Sequence, residues 1–273
     1  MVRLSGFADE IGPDLELQIE TLASEGLKFL ELRGVWGKNV LDLGADERKR
    51  LKKRLREAGI GVSSIGSPIG KVRIDEPWAD HVARFKIAMD AAEFFEAPFI
   101  RIFSYYPPDG GRIADHRNEV IRRLNEQMRM AAGGRAQLLH ENEAAIYGEK
   151  TEGCLDIARS VPGIRLIFDP ANFVCAGVRP REAWSVLKDK VIYFHIKDAI
   201  LGSGHIVPSG EGDGDIPEIL RDAIVNRGFD GFLSLEPHLA AAGQFSGFSG
   251  PDLFKKAVQA LKRVLDHLGV KYQ

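Results

Sequence analysis

Four side chains of the types that bind metal ions recur in the second half of the chain, each at the end of a short apolar segment. They are Glu141 in LLHENE, Asp169 in LIFDPAN, His195 in YFHIKD and Glu236 in LSLEPH, at successive separations of 28, 26 and 41 residues. Three carboxylates brought together repel one another unless protons or a cation relieve the charge. The oxygen-rich set suits manganese, magnesium or cobalt better than a closed structural zinc site. The pattern therefore predicts a divalent-metal site.

The spacing of these residues indicates the elements that must position them. Eight β-rich segments alternate with helical patterns, at about 34 residues for each strand, loop and returning helix. The predicted strands cover residues 3–8, 28–35, 61–68, 98–105, 136–143, 165–172, 191–199 and 232–239. We therefore predict an α/β fold, a (β/α)8 TIM barrel with residues 1–273 as its single domain. An open doubly wound sheet is the alternative, but no GxGxxG follows the first strand.

Two helices carry clear terminal signals. Apolar residues recur at helical spacing between Asp115 and Gly133, and Asp115 is placed to cap the start of that helix. The last helix is predicted to open at Pro251, a favoured first-turn residue, and to present one apolar stripe. Both helices should pack against the barrel.

Active sites of such barrels lie at the C-terminal ends of the strands, and the four candidate ligands fall at the ends of strands five to eight. Period-two alternation places Lys197 on the same side as His195, and His238 on the same side as Glu236. Lys197 is predicted to polarise a substrate oxygen or hold a phosphate, or else to form a salt bridge to Asp198 or another loop acid. Glu141 and Glu236 are the candidate acid and base.

Further residues are predicted to surround the site. Lys71, in SPIGK, can reach an anionic substrate, or else be a solvated loop lysine. Trp36 can cover the carbon face of a sugar. The segment GEGDG at 210–214 is predicted to form a lid. Arg101, inside an apolar run, must pair with an acid, and Glu31 is the predicted partner.

Composition restricts the partners of the protein. With 37 Lys plus Arg against 39 Asp plus Glu, the net charge is −2, which gives no positive field to attract nucleic acid. No apolar run approaches the roughly 20 residues that span a bilayer, and the N-terminus lacks the apolar region of a signal peptide. Two cysteines fit a reducing compartment. We expect a cytoplasmic protein with a small-molecule substrate, no nucleic-acid or membrane partner, and homo-oligomers as a possibility.

The segments LLHENE, FDPANF, HIKDA and SLEPHL, in this order, resemble the sugar phosphate isomerase/epimerase superfamily of xylose-isomerase-like barrels. The resemblance covers essentially the whole chain. It implies a metal held by Glu141, Asp169, His195 and Glu236, with Mn2+ expected first and Mg2+, Co2+ or Zn2+ as alternatives. Many members have a His three residues after the metal-binding Asp, whereas this chain has Asn172 there. The motif therefore identifies a site and leaves the substrate open.

Several functions are compatible with this site. The first is a metal-dependent isomerase or epimerase of a sugar or sugar phosphate, in which Glu residues move a proton next to a carbonyl and the metal stabilises the enediolate. The second is an inosose-type dehydratase, with His238 or Lys197 as the acid. An endonuclease IV-like phosphodiesterase is disfavoured by the slightly acidic charge and the seven histidines. A non-catalytic sugar-binding barrel is the remaining alternative.

Overall fold

Eight parallel strands form the centre of the molecule in the computed structural model, which describes residues 1–239 and 249–273. The strands are β1 Arg3–Gly6, β2 Phe29–Leu32, β3 Gly61–Ile65, β4 Phe99–Ile102, β5 Gln137–Glu141, β6 Arg165–Phe168, β7 Val191–Ile196 and β8 Phe232–Leu235. All eight lie within the predicted segments. Each observed strand is shorter, because the predicted segments included residues of the loop that follows.

Strand pairing confirms the (β/α)8 TIM barrel. The hydrogen-bonded order is β1-β8-β7-β6-β5-β4-β3-β2, with every pair parallel. A parallel bridge between Phe7 and Glu31 then brings the ends of β1 and β2 together, so the barrel is nearly closed. Neighbouring strands in this order are therefore the ones whose side chains reach each other at the mouth.

Helices surround the barrel. The α-helices that the structure describes are α1 Leu15–Ser24, α2 Ala45–Glu57, α3 Trp78–Phe95, α4 Arg117–Ala131, α5 Thr151–Ser160, α6 Pro170–Cys175, α7 Pro180–Leu187, α8 Ile216–Leu220 and α9 Gly250–His267. A π-helix, Arg221–Asn226, continues α8. The last helix begins at Gly250, one residue before the predicted start, and Pro251 lies in its first turn. The Asp115 cap is wrong: this residue lies in a 3-10 turn before α4 and pairs with Arg112 instead.

The interior of the barrel has an apolar layer and, nearer the C-terminal ends of the strands, a polar layer. Leu139, Ile167, Tyr193 and Phe232 form a small buried cluster within it. Two residues further along the same strands, or just past their ends, stand Glu141, Asp169, His195 and the buried Ser234. Because side chains two residues apart share a face of a strand, the polar layer sits directly above the apolar one. The larger core lies between the strands and the helices.

No helix in the described ranges is both long and apolar enough to cross a membrane. Cys154 is buried and Cys175 is exposed, and both are free thiols. The two cysteines therefore do not form a disulfide bond.

Candidate metal centre

The four predicted ligands meet at the C-terminal mouth of the barrel. One ligand atom from each of Glu141, Asp169, His195 and Glu236 can be chosen so that all four lie within 4.8 Å of one another. All four residues are buried, with Glu236 the most accessible at 5%. The predicted convergence of strands five to eight is thus present in the structure.

Asp169 is held by the turn that joins β6 to α6. Its Oδ1 accepts the backbone N–H of Asn172 at 2.9 Å, which makes Asp169 the N-cap of the helix, and Pro170 supplies the fixed φ of the first turn. The side-chain amide of Asn142 bonds to both the N–H and the C=O of Asp169, each at 2.9 Å. The other oxygen, Oδ2, has no hydrogen-bond partner and faces the cluster.

Glu141 ends β5 and is almost completely buried. Its Oε1 lies 2.8 Å from His195 Nδ1, while Oε2 lies 3.3 Å from a guanidinium nitrogen of Arg101 and has no hydrogen-bond partner. The predicted Arg101–Glu31 pair is therefore wrong. Arg101 stands on β4, whose neighbour is β5, whereas Glu31 stands on β2, two strands away.

His195 lies between two carboxylates. Its Nε2 is 3.0 Å from Glu31 Oε2, which also accepts the hydroxyl of Tyr193 at 2.9 Å. Burial opposes the charged imidazolium, but Glu141 and Glu31 outweigh it and raise the pKa of His195 to about 10. Without a metal, the ring would thus carry the positive charge that the carboxylates require.

Glu236 follows β8 and bonds to two cations. Its Oε2 accepts the ammonium of Lys197 at 3.0 Å, and its Oε1 accepts the guanidinium of Arg33 at 2.9 Å. Lys197 also lies 3.1 Å from Asp169 Oδ2, so it bridges two of the candidate ligands. Lys197 does not pair with Asp198, because Asp198 bonds to backbone N–H groups of a neighbouring loop. The predicted alternative of another acid is met by Asp169 and Glu236, just past the ends of their strands.

The donor set fits a divalent cation. One buried oxygen each of Glu141 and Asp169 accepts no hydrogen bond and has only an ion pair, with Arg101 and Lys197 respectively, although burying a carboxylate oxygen without hydrogen bonds is costly. Burial raises the pKa of Asp169 to about 6, against the lowering effect of Lys197. The cluster therefore balances its charge with Lys197 and with protons, and a cation bound by these oxygens and a neutral His195 would replace those protons.

The other predicted site residues are placed as follows. Lys71 is one-third exposed, pairs with Glu143 at 2.7 Å and lies 4.4 Å above the ring of Phe103. His238 contacts Glu10 at 3.0 Å and Glu236 at 3.5 Å, with its backbone in the left-handed region at φ 43°. Lys71 and His238 therefore border the mouth.

Trp36 stands apart from these residues. Its ring lies 5.1 Å from the guanidinium of Arg50 on α2, and it packs against the outer core. None of these contacts of Trp36 involves the cluster, so they do not support its predicted role of covering the carbon face of a sugar. His140, on the opposite side of β5 from Glu141, is buried and bonds to Ser104, which fits a structural role.

Sequence reasoning missed the residues that support the ligands. Arg33 pairs with Asp9 at 2.6 Å and Glu10 at 2.8 Å as well as with Glu236. Asn142, directly after Glu141, was not assigned a role either. The sequence signal for Glu10 was its position just after a predicted strand, and that for Arg33 its position near the end of one, and many solvated residues share such positions.

The segment at 210–214 is tied down. The N–H groups of Gly210, Gly212 and Gly214 donate to the carboxylate of Asp198 at 2.8, 3.1 and 2.8 Å. Opening this segment as a lid would break all three bonds. We therefore expect this segment to stay bonded to Asp198 rather than to move as a lid.

Comparison with solved structures shows the same architecture. A D-tagatose 3-epimerase-like protein superposes with a TM-score of 0.77 at 16% identity over 98% of each chain. The probable 3-DHS dehydratase AsbF from Bacillus anthracis, involved in petrobactin synthesis, gives 0.76 at 16% identity over 96% of this chain and 99% of its own. The IolI protein with a bound zinc atom gives 0.74 at 16% identity over 98% of each chain. At these identities the likeness establishes the fold.

The family follows from the sequence match. No curated protein matches this chain with significant similarity. The family model described as "Xylose isomerase-like TIM barrel" matches residues 19–264, most of the chain. The chain therefore belongs to the xylose isomerase-like TIM barrel family.

Proposed function

We propose that this protein is a divalent-metal-dependent isomerase or epimerase that acts on a small sugar or sugar phosphate. The observation that carries the proposal is the buried cluster of Glu141, Asp169, His195 and Glu236, two of whose carboxylate oxygens have no hydrogen-bond partner. The 3-epimerase-like neighbour supports the reaction class.

The four cluster residues are proposed to hold the ion, with Mn2+ expected first and Mg2+, Co2+ or Zn2+ as alternatives. The zinc atom bound by the IolI protein supports a metal in this fold and does not favour manganese. When bound, a divalent ion polarises a substrate carbonyl and offsets negative charge on its oxygen.

Glu141 and Glu236 are proposed to move the protons. They end strands on different parts of the barrel rim, so they can face a substrate from two sides. For epimerisation, one carboxylate removes the proton from the carbon next to the carbonyl, and the resulting enediolate receives a proton from the other on its opposite face. For isomerisation, one carboxylate returns the proton to the neighbouring carbon. Both reactions conserve atoms and need no redox partner.

Cations at the mouth are proposed to orient the substrate. Lys197, buried between Asp169 and Glu236, can donate a hydrogen bond to a substrate oxygen. Lys71 and His238, at the rim, are proposed to bind hydroxyl groups further along the substrate. Trp36 is proposed to cover the carbon face of the sugar.

A dehydratase of the inosose type is the second candidate. Lys197 is a charged acid within 3.1 Å of two carboxylates, so proton removal and protonation of a departing hydroxyl can take place in one site. The neighbour described as a probable 3-DHS dehydratase supports this chemistry on the same fold. His238 is the other candidate acid.

The remaining alternatives have less support. A phosphodiesterase of the endonuclease IV type would have to bind a polyanion at a mouth rich in carboxylates. A non-catalytic sugar-binding barrel would not need two carboxylates beside the bound sugar. A cytoplasmic location and homo-oligomers remain proposals.

One experiment separates these reactions. Manganese-loaded protein is incubated with a panel of ketoses in deuterated water and followed by NMR. Deuterium at one carbon with a recovered epimer supports epimerisation, an aldose product supports isomerisation, and loss of water supports the dehydratase. No exchange with any sugar at saturating metal would contradict all three.

A further inference from the structure

Arg33 lies where the ends of three neighbouring strands meet. It comes directly after β2, and its Nη1 donates to Oε1 of Glu236, which follows β8, at 2.9 Å. Its Nε and Nη2 donate to Asp9 Oδ2 at 2.6 Å and to Glu10 Oε1 at 2.8 Å, both just past β1. Because β1 adjoins β8 on one side and β2 on the other, one guanidinium joins the chain above all three strands.

The guanidinium is fixed on its face as well as along its edges. It lies 4.5 Å from the ring centre of Phe7, which itself packs edge-on against His195 at 5.1 Å. Gly66 keeps the space that this stack needs, because a Cβ there would lie 2.9 Å from the Phe7 ring and 3.0 Å from Arg33 Cβ. The planar guanidinium therefore has one position, set by the ring and by three carboxylates.

Glu10 anchors this arrangement from behind. Its side chain is completely buried, and its Oε1 lies 3.0 Å from His238 Nε2 as well as accepting Arg33. Its Oε2 accepts the hydroxyl of Ser249 at 3.0 Å, and that hydroxyl accepts the N–H of Leu239. His238 has a left-handed backbone at φ 43°, a conformation that persists only where the surroundings fix it. Glu10 therefore ties residues on both sides of the segment 240–248 to Arg33.

The two oxygens of Glu236 consequently have different surroundings. Oε1 is bonded to Arg33, whereas Oε2 accepts the ammonium of Lys197 at 3.0 Å. The same ammonium lies 3.1 Å from Asp169 Oδ2, so Oε2 is the oxygen on the side of the candidate metal ligands. The terminal torsion of a glutamate has no sharply preferred value, and the carboxylate could turn without a partner on Oε1. Arg33 thus determines which oxygen of Glu236 faces the cluster.

We propose that Arg33 is a positioning residue of the metal centre, which retains Oε1 of Glu236 and so presents Oε2 to the ion. This inference rests on the proposed function and extends it to a residue outside the four ligands. Partners that orient a ligating side chain from outside typically contribute 10-fold to 100-fold to metal affinity. Lysine cannot replace Arg33 in this role, because its single ammonium nitrogen lacks the planar fork that bonds to three separate carboxylates.

The first test uses Arg33→Lys, which keeps the positive charge and removes the fork. Calorimetric titration of the metal-free protein with Mn2+ should show an affinity at least about 10-fold weaker than that of the parent. The visible absorption spectrum of the Co2+-loaded variant should also change, because it depends on the geometry of the ligands. Asp9→Asn is the control: its amide oxygen can still accept from Arg33, and Glu236 keeps its partner, so the Co2+ spectrum should be that of the parent.

The second test needs no variant and decides the matter if Arg33→Lys does not fold. A crystal structure of the Mn2+-loaded parent, with the ion located by anomalous scattering, shows which oxygen of Glu236 binds it. We expect Oε2 to bind the ion while Oε1 stays within hydrogen-bond distance of Arg33. Binding of the ion through Oε1, or an Arg33 side chain turned away from Glu236, would overturn the inference.

The measurements on Arg33→Lys also separate positioning from a role in stability alone. A merely stabilising ion pair would lower the Tm of the metal-free variant and leave the Mn2+ affinity and the Co2+ spectrum as in the parent, which would overturn the inference and leave the proposed function intact. Weaker Mn2+ binding with an unchanged Co2+ spectrum would overturn it as well, because the ligand geometry would then be preserved. If the parent itself binds no divalent ion, the proposed function fails, and this inference fails with it.

Discussion

Glu31 Oε2 lies 3.0 Å from His195 Nε2, on the side of the imidazole ring opposite to the cluster. The other ring nitrogen, Nδ1, is 2.8 Å from Glu141 Oε1. A carboxylate behind a ligating imidazole fixes which nitrogen carries the proton and how the ring is oriented. In the metal-bound form that we propose, Glu31 would hold the proton on Nε2 and leave Nδ1 to the ion.

The first prediction tests this relationship. Glu31→Gln keeps a side-chain oxygen but removes the charge, and we expect Mn2+ binding to weaken by about 10-fold to 100-fold. Calorimetric metal titration measures the affinity, and 15N NMR of the His195 ring reports its tautomer. Tyr193→Phe is the matched control, because it removes another donor to Glu31 without touching the imidazole. Parent-like affinity in Glu31→Gln would mean that Glu31 does not position the ligand.

The second prediction concerns the ion itself. An ion that binds only the folded protein adds its binding free energy to the free energy of unfolding, about 2.7 kcal/mol at 100 times Kd. Exhaustive chelation should therefore lower Tm and abolish activity, and manganese or cobalt should restore both. If no divalent ion shifts Tm, and anomalous scattering finds no metal among the four side chains, the proposed function loses its basis.

The third prediction concerns proton transfer. Gln in place of Glu141 or Glu236 keeps the shape of the side chain but cannot accept a proton at neutral pH. We expect turnover to fall by at least about 100-fold in either variant, since a positioned acid or base contributes 100-fold to 10,000-fold. Both substitutions lie in the mouth, above the packed layer of the barrel, so near-UV circular dichroism should stay as in the parent. Near-parent turnover at saturating metal would exclude that residue as a proton carrier.

The four candidate ligands could be predicted because strand geometry determines their direction. Alternation along β5, β7 and β8 fixes which side chains face inward, and parallel strands end at the same side of a barrel. The motif at Asp169 adds a second signal, since an Asp followed by Pro is typical of a helix N-terminus. These relationships are local, and a single sequence contains them.

Which residues contact the candidate metal ligands is determined by the reach of long side chains and by the order of strands around the barrel, and neither can be read from a local sequence pattern. Arg101 bonds near Glu141 because β4 adjoins β5, and no pattern within either segment gives that distance. Arg33 reaches Glu236 across more than 200 residues of sequence. The sequence did not predict that Asp198 fixes the loop at 210–214, because its partners are backbone N–H groups of glycines, which have no side chain to indicate the contact.

The fourth prediction concerns substrate binding at the rim. Lys71 lies beside Phe103 and pairs with Glu143, away from the proton carriers. Lys71→Ala should therefore raise KM more than it lowers kcat, which is the pattern for loss of an interaction made equally in the ground and transition states. Lys71→Arg, which keeps the charge, is the control. Equal KM values for Lys71→Ala and the parent on the best substrate would remove Lys71 from the site.

The last prediction concerns acid stability and a residue far from the metal centre. His81, on α3, is stacked on Trp78 at 5.5 Å and touches the ring of Tyr105. Burial, helped by the charge of Arg123, lowers the pKa of His81 from 6.5 to about 4. The unfolded chain therefore binds a proton at a higher pH than the folded protein does. Stability from this residue is complete above pH 6.5 and is lost as the pH falls from 6.5 towards 4.

Replacement of His81 by Phe keeps an aromatic ring in the stack and removes the titration. Between pH 7 and pH 5 the parent should lose on the order of 2 kcal/mol of unfolding free energy that the variant does not lose. Urea unfolding at both pH values measures the difference. His267→Phe, at the end of α9, is the control: it removes a different histidine and should lose the same unfolding free energy as the parent. Because only the change with pH is compared, a constant effect of Phe on packing does not enter. The same loss in His81→Phe as in the parent would show that this imidazole is already charged in the folded protein at pH 5, against the lowered pKa.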